Sequence, residues 1–343
     1  MTSLDGKMCL ITGPSGSGKT SLILAIERAC RLPEADSLYF EWIPDEATAE
    51  LVRLNKKALI TRLPSAMHAQ VRVEPTDYSF WIHVLKAKES LWDNSLDLSV
   101  HMVVSEWLGR TFFPEKAQHL QQRRSDVEKW EDQQIANLQN ASALIFCIDA
   151  NLSQASLLEM YLPSFLSTAL VPFVQVDNES KFNRLVRWVR RSPSRRMKTS
   201  RYLNVDRFLL LLNKIDRICG LFDHPASMAS IIDPVAQARD LLGPALMNLI
   251  SGSLKPNCQF AVGVASAWGF SPLTGLPYVS QDGIPFSLAT EAPDDTLRSW
   301  VPFGVRDALS FVSTGQADRS VKLVTQEDLL TDGIVDPIEV FYR

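Results

Sequence analysis

A three-layer α/β fold, with a mostly parallel central sheet covered by helices on both faces, is predicted for this chain of 343 residues by three observations. Four apolar runs of strand length, at 8–12, 143–149, 208–212 and 258–264, have the continuous hydrophobic character of strands buried on both faces. Segments with apolar residues at helical spacing separate them. The residues that follow each run are polar or small, and in such sheets they gather at the carboxyl ends of the strands, where ligands bind. Four stretches would therefore share one site: 13–20, Asp149, 213–216 and 265–268.

The first strand runs into Gly13-Pro14-Ser15-Gly16-Ser17-Gly18-Lys19-Thr20, and helical spacing begins at Ser21. Strand, glycine loop and helix form the context of G-x-x-x-x-G-K-[ST], the phosphate-binding loop. Glycines let successive N–H groups turn inward around anionic oxygens, and the helix N-terminus adds partial positive charge. The loop residues Gly13, Ser15, Gly16, Ser17 and Gly18, with Ser21 behind them, would form the cradle. Lys19 would reach the β/γ-phosphates and the Thr20 hydroxyl would ligate Mg²⁺. The fold class is therefore a P-loop NTPase fold enlarged by helical insertions.

Downstream, four prolines at Pro33, Pro44, Pro64 and Pro75 break any long element between 32 and 76. Aromatic and β-branched residues at 78–86 and 96–104, joined around Asp93-Asn94-Ser95, predict a hairpin. The charged stretch 115–140 has neither Pro nor Gly and reads as a long surface helix. Residues 151–206 show helical spacing and then a basic stretch at 184–201, read as a solvated face. A helix is expected around 234–250, loop at 269–296, a closing helix at 300–312 and a polar tail at 315–343.

Composition limits the function classes. A net charge of −4 gives no global attraction to nucleic acid or to membrane, so nucleic acid is not an expected partner. The apolar runs are far too short for a membrane span. The first strand starts too near residue 1 for a secretory leader, so the expectation is a cytoplasmic protein. Its five cysteines stand singly, without metal-ligand spacing, and read as small core hydrophobes.

Two further signals narrow the nucleotide. The fourth position of Asn213-Lys214-Ile215-Asp216 puts a carboxylate after a buried strand, where it can accept from guanine N1–H and the N2 amine. Adenine offers no such donor pair, and a site built for a hydrogen bond rejects analogues lacking it by roughly 10⁴. Lys214 would stack along the base and Asn213 would tie this turn to the phosphate loop. After the next strand stands Ser266-Ala267, which resembles the Ser-Ala of GTPases at this place and so implies backbone N–H donors to guanine O6. In this order the motifs resemble the translation-factor and Ras-type (TRAFAC) class of P-loop GTPases over roughly residues 5–312. The resemblance implies GTP/GDP and Mg²⁺ as cofactors. It implies a GTPase domain at 1–314, with insertions at about 32–75, 110–142 and 151–206.

The chain departs from that class at the switch residues. Where the class has D-x-x-G, Glu106 and Gly109 take the two positions, and Arg110 stands where Ras-type enzymes place the Gln that orients water. Thr76 is the expected switch threonine, with Thr61 as competitor. The implied Mg²⁺ ligands are Thr20, Thr76 and Glu106; Lys19, Thr76, Glu106 and Gly109 would serve turnover. The Trp-x-Pro-Phe-Gly-Val segment at 300–305 and the enlarged core look similar to bacterial GTPases of conflict systems. That similarity implies an effector or a second GTPase as partner, and many members of the class form nucleotide-dependent dimers. Two alternatives stand beside a GTPase switch: a guanylate-kinase-type enzyme, whose loop is close to 13–20, and a GTP-bound scaffold with little turnover.

Overall fold

Seven consecutive buried residues in Ala143–Asp149, and six in Arg207–Asn213, leave no exposed edge for either segment, so both lie inside a sheet. The computed structural model of the protein describes residues 7–14, 16–32, 38–61, 78–86, 96–102, 140–151, 162, 165, 171–174, 199–272, 274–277 and 301–329. Among these, the strands of the main sheet are β1 (Lys7–Thr12), β2 (Leu38–Pro44), β3 (Tyr78–Lys86), β4 (Leu96–Met102), β5 (Ala143–Asp149), β8 (Arg207–Asn213), β9 (Gln259–Val264) and β10 (Val321–Leu323). Their spatial order is β10-β9-β8-β5-β1-β4-β3-β2. The inner strands β4, β1, β5, β8 and β9 are parallel to their neighbours within that set, while β2, β3 and β10 pair antiparallel. A separate two-stranded ribbon joins β6 (Val171–Val174) to β7 (Thr199–Tyr202).

The helices are α1 (Lys19–Arg31), α2 (Glu46–Thr61), α3 (Ile215–Cys219), α4 (Pro225–Ile231), α5 (Pro234–Ser253), α6 (Val305–Thr314) and α7 (Gln326–Leu329). Strand pleating sends alternate side chains to opposite faces, and the core divides accordingly. Cys9, Ile11, Ile145, Cys147, Leu209 and Leu211 pack on one face with Leu22, Ile23 and Ile26 of α1 and Leu309 and Val312 of α6. Leu10, Leu144, Phe146, Ile148, Phe208, Leu210 and Leu212 pack on the other with Val235, Leu241 and Ile250 of α5. Helix, sheet and helix thus form three layers, as the apolar runs predict.

Three features differ from the sequence expectations. The proline-punctuated 32–75 region contributes the edge strand β2 and the sixteen-residue helix α2, because Pro44 falls at the end of β2 and α2 starts two residues later. Asp45 accepts from Thr48 N–H at 2.7 Å at the start of that helix. The expected helix near 234–250 is longer and breaks at Gly243-Pro244, where Gly243 has φ 74°. The polar tail is not all tail. Its Val321 is buried against β9, and β10 extends the main sheet beyond residue 314. Of the expected helix at 115–140 all but Asn140, which is helical, falls outside the described residues, as does 184–198 of the basic stretch; Thr199, Ser200 and Arg201 belong to β7.

Candidate nucleotide-binding site

The loop between β1 and α1 takes backbone conformations that only glycine adopts freely. Gly13, Gly16 and Gly18 have φ of 143°, 80° and 86°. A Cβ on Gly13 would lie 1.9 Å from the Cys147 carbonyl oxygen of β5, and one on Gly18 would lie 2.5 Å from Asn213 Nδ2. The loop therefore lies directly on the ends of β5 and β8. Gly18 caps α1 without a side-chain hydrogen bond, and the first turn of α1 holds no acidic residue. That end keeps its partial positive charge for an anion.

Lys19, only 7% exposed, donates from Nζ to the carbonyls of Gly13 at 2.8 Å and Pro14 at 2.9 Å. Its ammonium thus lies over the loop that a phosphate would enter. Thr20 is exposed and Ser21 half-buried at the start of α1. The Ser17 hydroxyl is buried beneath the loop without a hydrogen-bond partner. From β5, the Cys147 thiol donates to Ser17 O at 3.5 Å; burial pushes its pKa up to about 11, which keeps it protonated.

The turn after β8 is fastened to the same loop. Asn213 is fully buried and donates from Nδ2 to Ser17 O at 3.0 Å and Gly18 O at 3.4 Å. Lys214 has φ 64°, the single positive value among described non-glycine residues, and its Nζ donates to Gly16 O and, at 2.7 Å, to Asp149 Oδ2. Asp216 is buried, and its Oδ1 has no hydrogen-bond partner. Burial pushes its carboxyl above the usual carboxylate range, against the pull of the Ser266 side-chain hydrogen bond and the charges of Arg217 and Lys214.

The segment after β9 joins this assembly through the backbone: Ile215 N–H donates to Ala265 O at 3.1 Å, and Ala265 N–H to Leu212 O at 2.9 Å. Ser266 N–H donates to Phe303 O and Phe303 N–H to Ser266 O, each at 3.0 Å. Ser266 N–H is thus engaged within the protein, and the Ser266 hydroxyl accepts from Gly269 N–H at 2.8 Å while lowering the Asp216 carboxyl pKa against burial. Ala267 is buried beside it. The 301–304 segment braces the loop further. A Cβ on Gly269 would lie 1.9 Å from Val301 O, and one on Gly304 would lie 2.0 Å from Val264 O.

The structure therefore brings together Gly13, Gly16, Ser17, Gly18, Lys19, Asn213, Lys214, Asp216 and Ser266. Ser15, Thr76, Glu106 and Gly109 lie outside the described residues. Asp149, expected at this site from its place at the end of an apolar strand, also holds Lys214, a role that the sequence did not show. One contributor was not legible as such in the sequence. Phe303 holds Ser266 through backbone bonds, which leave no mark on side-chain pattern.

The site fits a guanine nucleotide on its own chemistry. A buried carboxylate oxygen lacks a partner, and the loop is closed to any Cβ at two glycines. Among the described residues no group of three His, Cys, Asp or Glu side chains could hold a metal by itself. A lone hydroxyl at Thr20, beside a bound triphosphate, fits a small hard cation that keeps most of its waters. No described helix is long and apolar enough to cross a membrane.

No protein-family description matches the chain, and no curated protein matches it. Among solved structures it is similar to the Ski7 GTPase-like domain of S. cerevisiae bound to GDP and inorganic phosphate. That match has 10% identity and a TM-score of 0.30, over 79% of this chain and 46% of the other. The same domain bound to GTP matches at 10% identity and a TM-score of 0.29, over 76% and 43%. The SRb–GTP/SRX complex of the signal recognition particle receptor from Chaetomium thermophilum matches at 14% identity and a TM-score of 0.32, over 78% and 94%. The chain spans less than half the length of the Ski7 chains that it matches.

Proposed function

We propose that the protein binds GTP and hydrolyses it to GDP and phosphate with Mg²⁺, acting as a nucleotide-controlled switch. The observation that carries this reading is Asp216, a buried carboxylate with an unpartnered oxygen on a turn that Asn213 and Lys214 fasten to the phosphate loop. A guanine base supplies, in its N1–H and N2 amine, donors for a carboxylate whose Oδ1 has none. Lys214 offers its aliphatic stem to the base face, and Asn213 fixes the distance between base and phosphates.

On binding, Lys19 exchanges the carbonyls of Gly13 and Pro14 for the β/γ-phosphate oxygens. The loop N–H groups and the α1 N-terminus then face charge as it develops on the departing γ-phosphoryl group. Thr20 would hold Mg²⁺, with Thr76 and Glu106 as further ligands; when bound, the ion neutralises phosphate charge. With Arg110 in the place of a water-orienting Gln, turnover is slow unless a partner supplies that group. The partner is an effector protein, a second GTPase or another copy of this chain, and the compartment is the cytoplasm.

Displacement of a fluorescent GDP analogue by GTP and by ATP tests the reading on wild type and Asp216→Asn. GTP should compete far better than ATP, and the variant should gain affinity for xanthosine nucleotides. Equal competition by ATP would sink the guanine reading and favour a P-loop kinase. Tight GTP binding with negligible phosphate release would leave a scaffold.

A further inference from the structure

We propose that Asp149 is the positioning residue of the base-reading turn, holding Lys214 away from Asp216 so that the Asp216 carboxylate stays open to guanine. The proposal rests on the guanine-binding reading above. Asp149 is 2% exposed at the end of β5, and in the parallel register it lies opposite Asn213, the first residue of the turn. Its Oδ2 accepts from Lys214 Nζ at 2.7 Å and lies 3.9 Å from Arg217 Nη1. Its Oδ1 accepts from Asn151 N–H at 3.0 Å, which fixes the carboxylate plane.

Lys214 and Arg217 are the two cations that bracket Asp216 in sequence, and both face one carboxylate that is not Asp216. That arrangement has a chemical consequence. A buried carboxylate with an empty oxygen attracts any cation within reach, because opposite charges interact far more strongly away from water. Lys214, two residues from Asp216, and Arg217, beside it, are the candidates, and Lys214 carries the compact ammonium that could seat on one oxygen. An ammonium seated on Asp216 Oδ1 would occupy the place of the guanine N1–H and N2 donors. Asp149 outbids that pairing, and Gly16 O takes another of the ammonium's three protons. The left-handed backbone of Lys214 fits the same account, since a non-glycine residue keeps that conformation only where its surroundings hold it.

The test is a double-mutant cycle in affinity for a fluorescent GDP analogue, with Asp149→Asn, Lys214→Met and the pair. Asn keeps the shape of Asp149 and removes its charge. Asp149→Asn alone should weaken binding about tenfold, the loss of one charge-assisted hydrogen bond. In the Lys214→Met background, where that ammonium is gone and Arg217 remains at 3.9 Å from Asp149, the same change should cost less than twofold. Asp149→Glu should restore part of the affinity and stands in if Asp149→Asn does not fold. A purely structural role for Asp149 predicts equal losses in both backgrounds together with a lowered melting temperature, and that result overturns the proposal. Unchanged affinity in Asp149→Asn, with wild type still preferring GTP to ATP, overturns it while sparing the guanine reading. Wild type showing no such preference overturns both.

Discussion

Replacing Asp216 by Asn should stabilise the nucleotide-free protein while destroying its preference for guanine. In the ligand-free fold the carboxylate is buried and its Oδ1 makes no hydrogen bond. An unsatisfied buried polar atom costs about 1–3 kcal/mol, more when charged. The Ser266 hydrogen bond and the charges of Arg217 and Lys214 return part of this, yet the carboxyl pKa is still raised, so burial outweighs them. Removing the charge should therefore gain about 1 kcal/mol, or roughly 2–4 °C in melting temperature for a domain of this size. With nucleotide the sign reverses. The variant keeps one amide acceptor but turns its NH2 toward the other guanine donor, so one charge-assisted hydrogen bond worth about 1.5–3 kcal/mol is lost and the other becomes neutral; GTP affinity should fall at least about tenfold. The pH dependence follows from the same shift. Because the folded pKa lies above the unfolded one, the stability deficit of wild type is full above the folded value and disappears as pH falls below the unfolded value. GTP affinity of wild type falls over the same acid range, as the carboxylate takes up its proton, and Asp216→Asn shows neither trend. Thermal melts of nucleotide-stripped protein and fluorescent-nucleotide titrations at several pH values measure all of this. A nucleotide-free variant that melts below wild type and still prefers GTP would refute the reasoning.

Gly13→Ala should disrupt the loop, because its Cβ would meet the Cys147 carbonyl oxygen at 1.9 Å and neither backbone can yield; a fall of several degrees in melting temperature and loss of nucleotide binding are expected by calorimetry. Asn213→Ala removes both donations to Ser17 O and Gly18 O, and should accelerate nucleotide release about tenfold in a stopped-flow chase, with about 1–3 kcal/mol lost from stability in urea. Val321→Asp would place a carboxylate in the core beside β9, so it should lower the urea midpoint markedly, by the cost of an unpaired buried charge. If residues past 314 were only a solvated tail, that last substitution would leave the midpoint unchanged.

The sequence alone determined the layered fold and the segments that the fold brings together at the candidate site. Buried parallel strands must be apolar along their whole length, so β1, β5, β8 and β9 announce themselves as continuous runs. The phosphate loop and the Asn213–Asp216 turn are equally legible, because backbone freedom at glycine and a carboxylate at a strand end are local requirements written in residue type. Tertiary structure decided what depends on partners distant in sequence. The edge strands β2 and β10 carry no continuous apolar run: Phe40 and Val321 are buried, while Glu41, Lys322 and Leu323 are exposed, and only pairing with β3 and β9 makes these segments strands. The brace of Phe303 on Ser266 is made by backbone groups that every residue possesses. Asp149 and Lys214 lie 65 residues apart, and nothing in either neighbourhood marks the other as its partner. Their pairing exists because parallel strands β5 and β8 end side by side, which brings two turns from separate parts of the chain to one edge of the sheet.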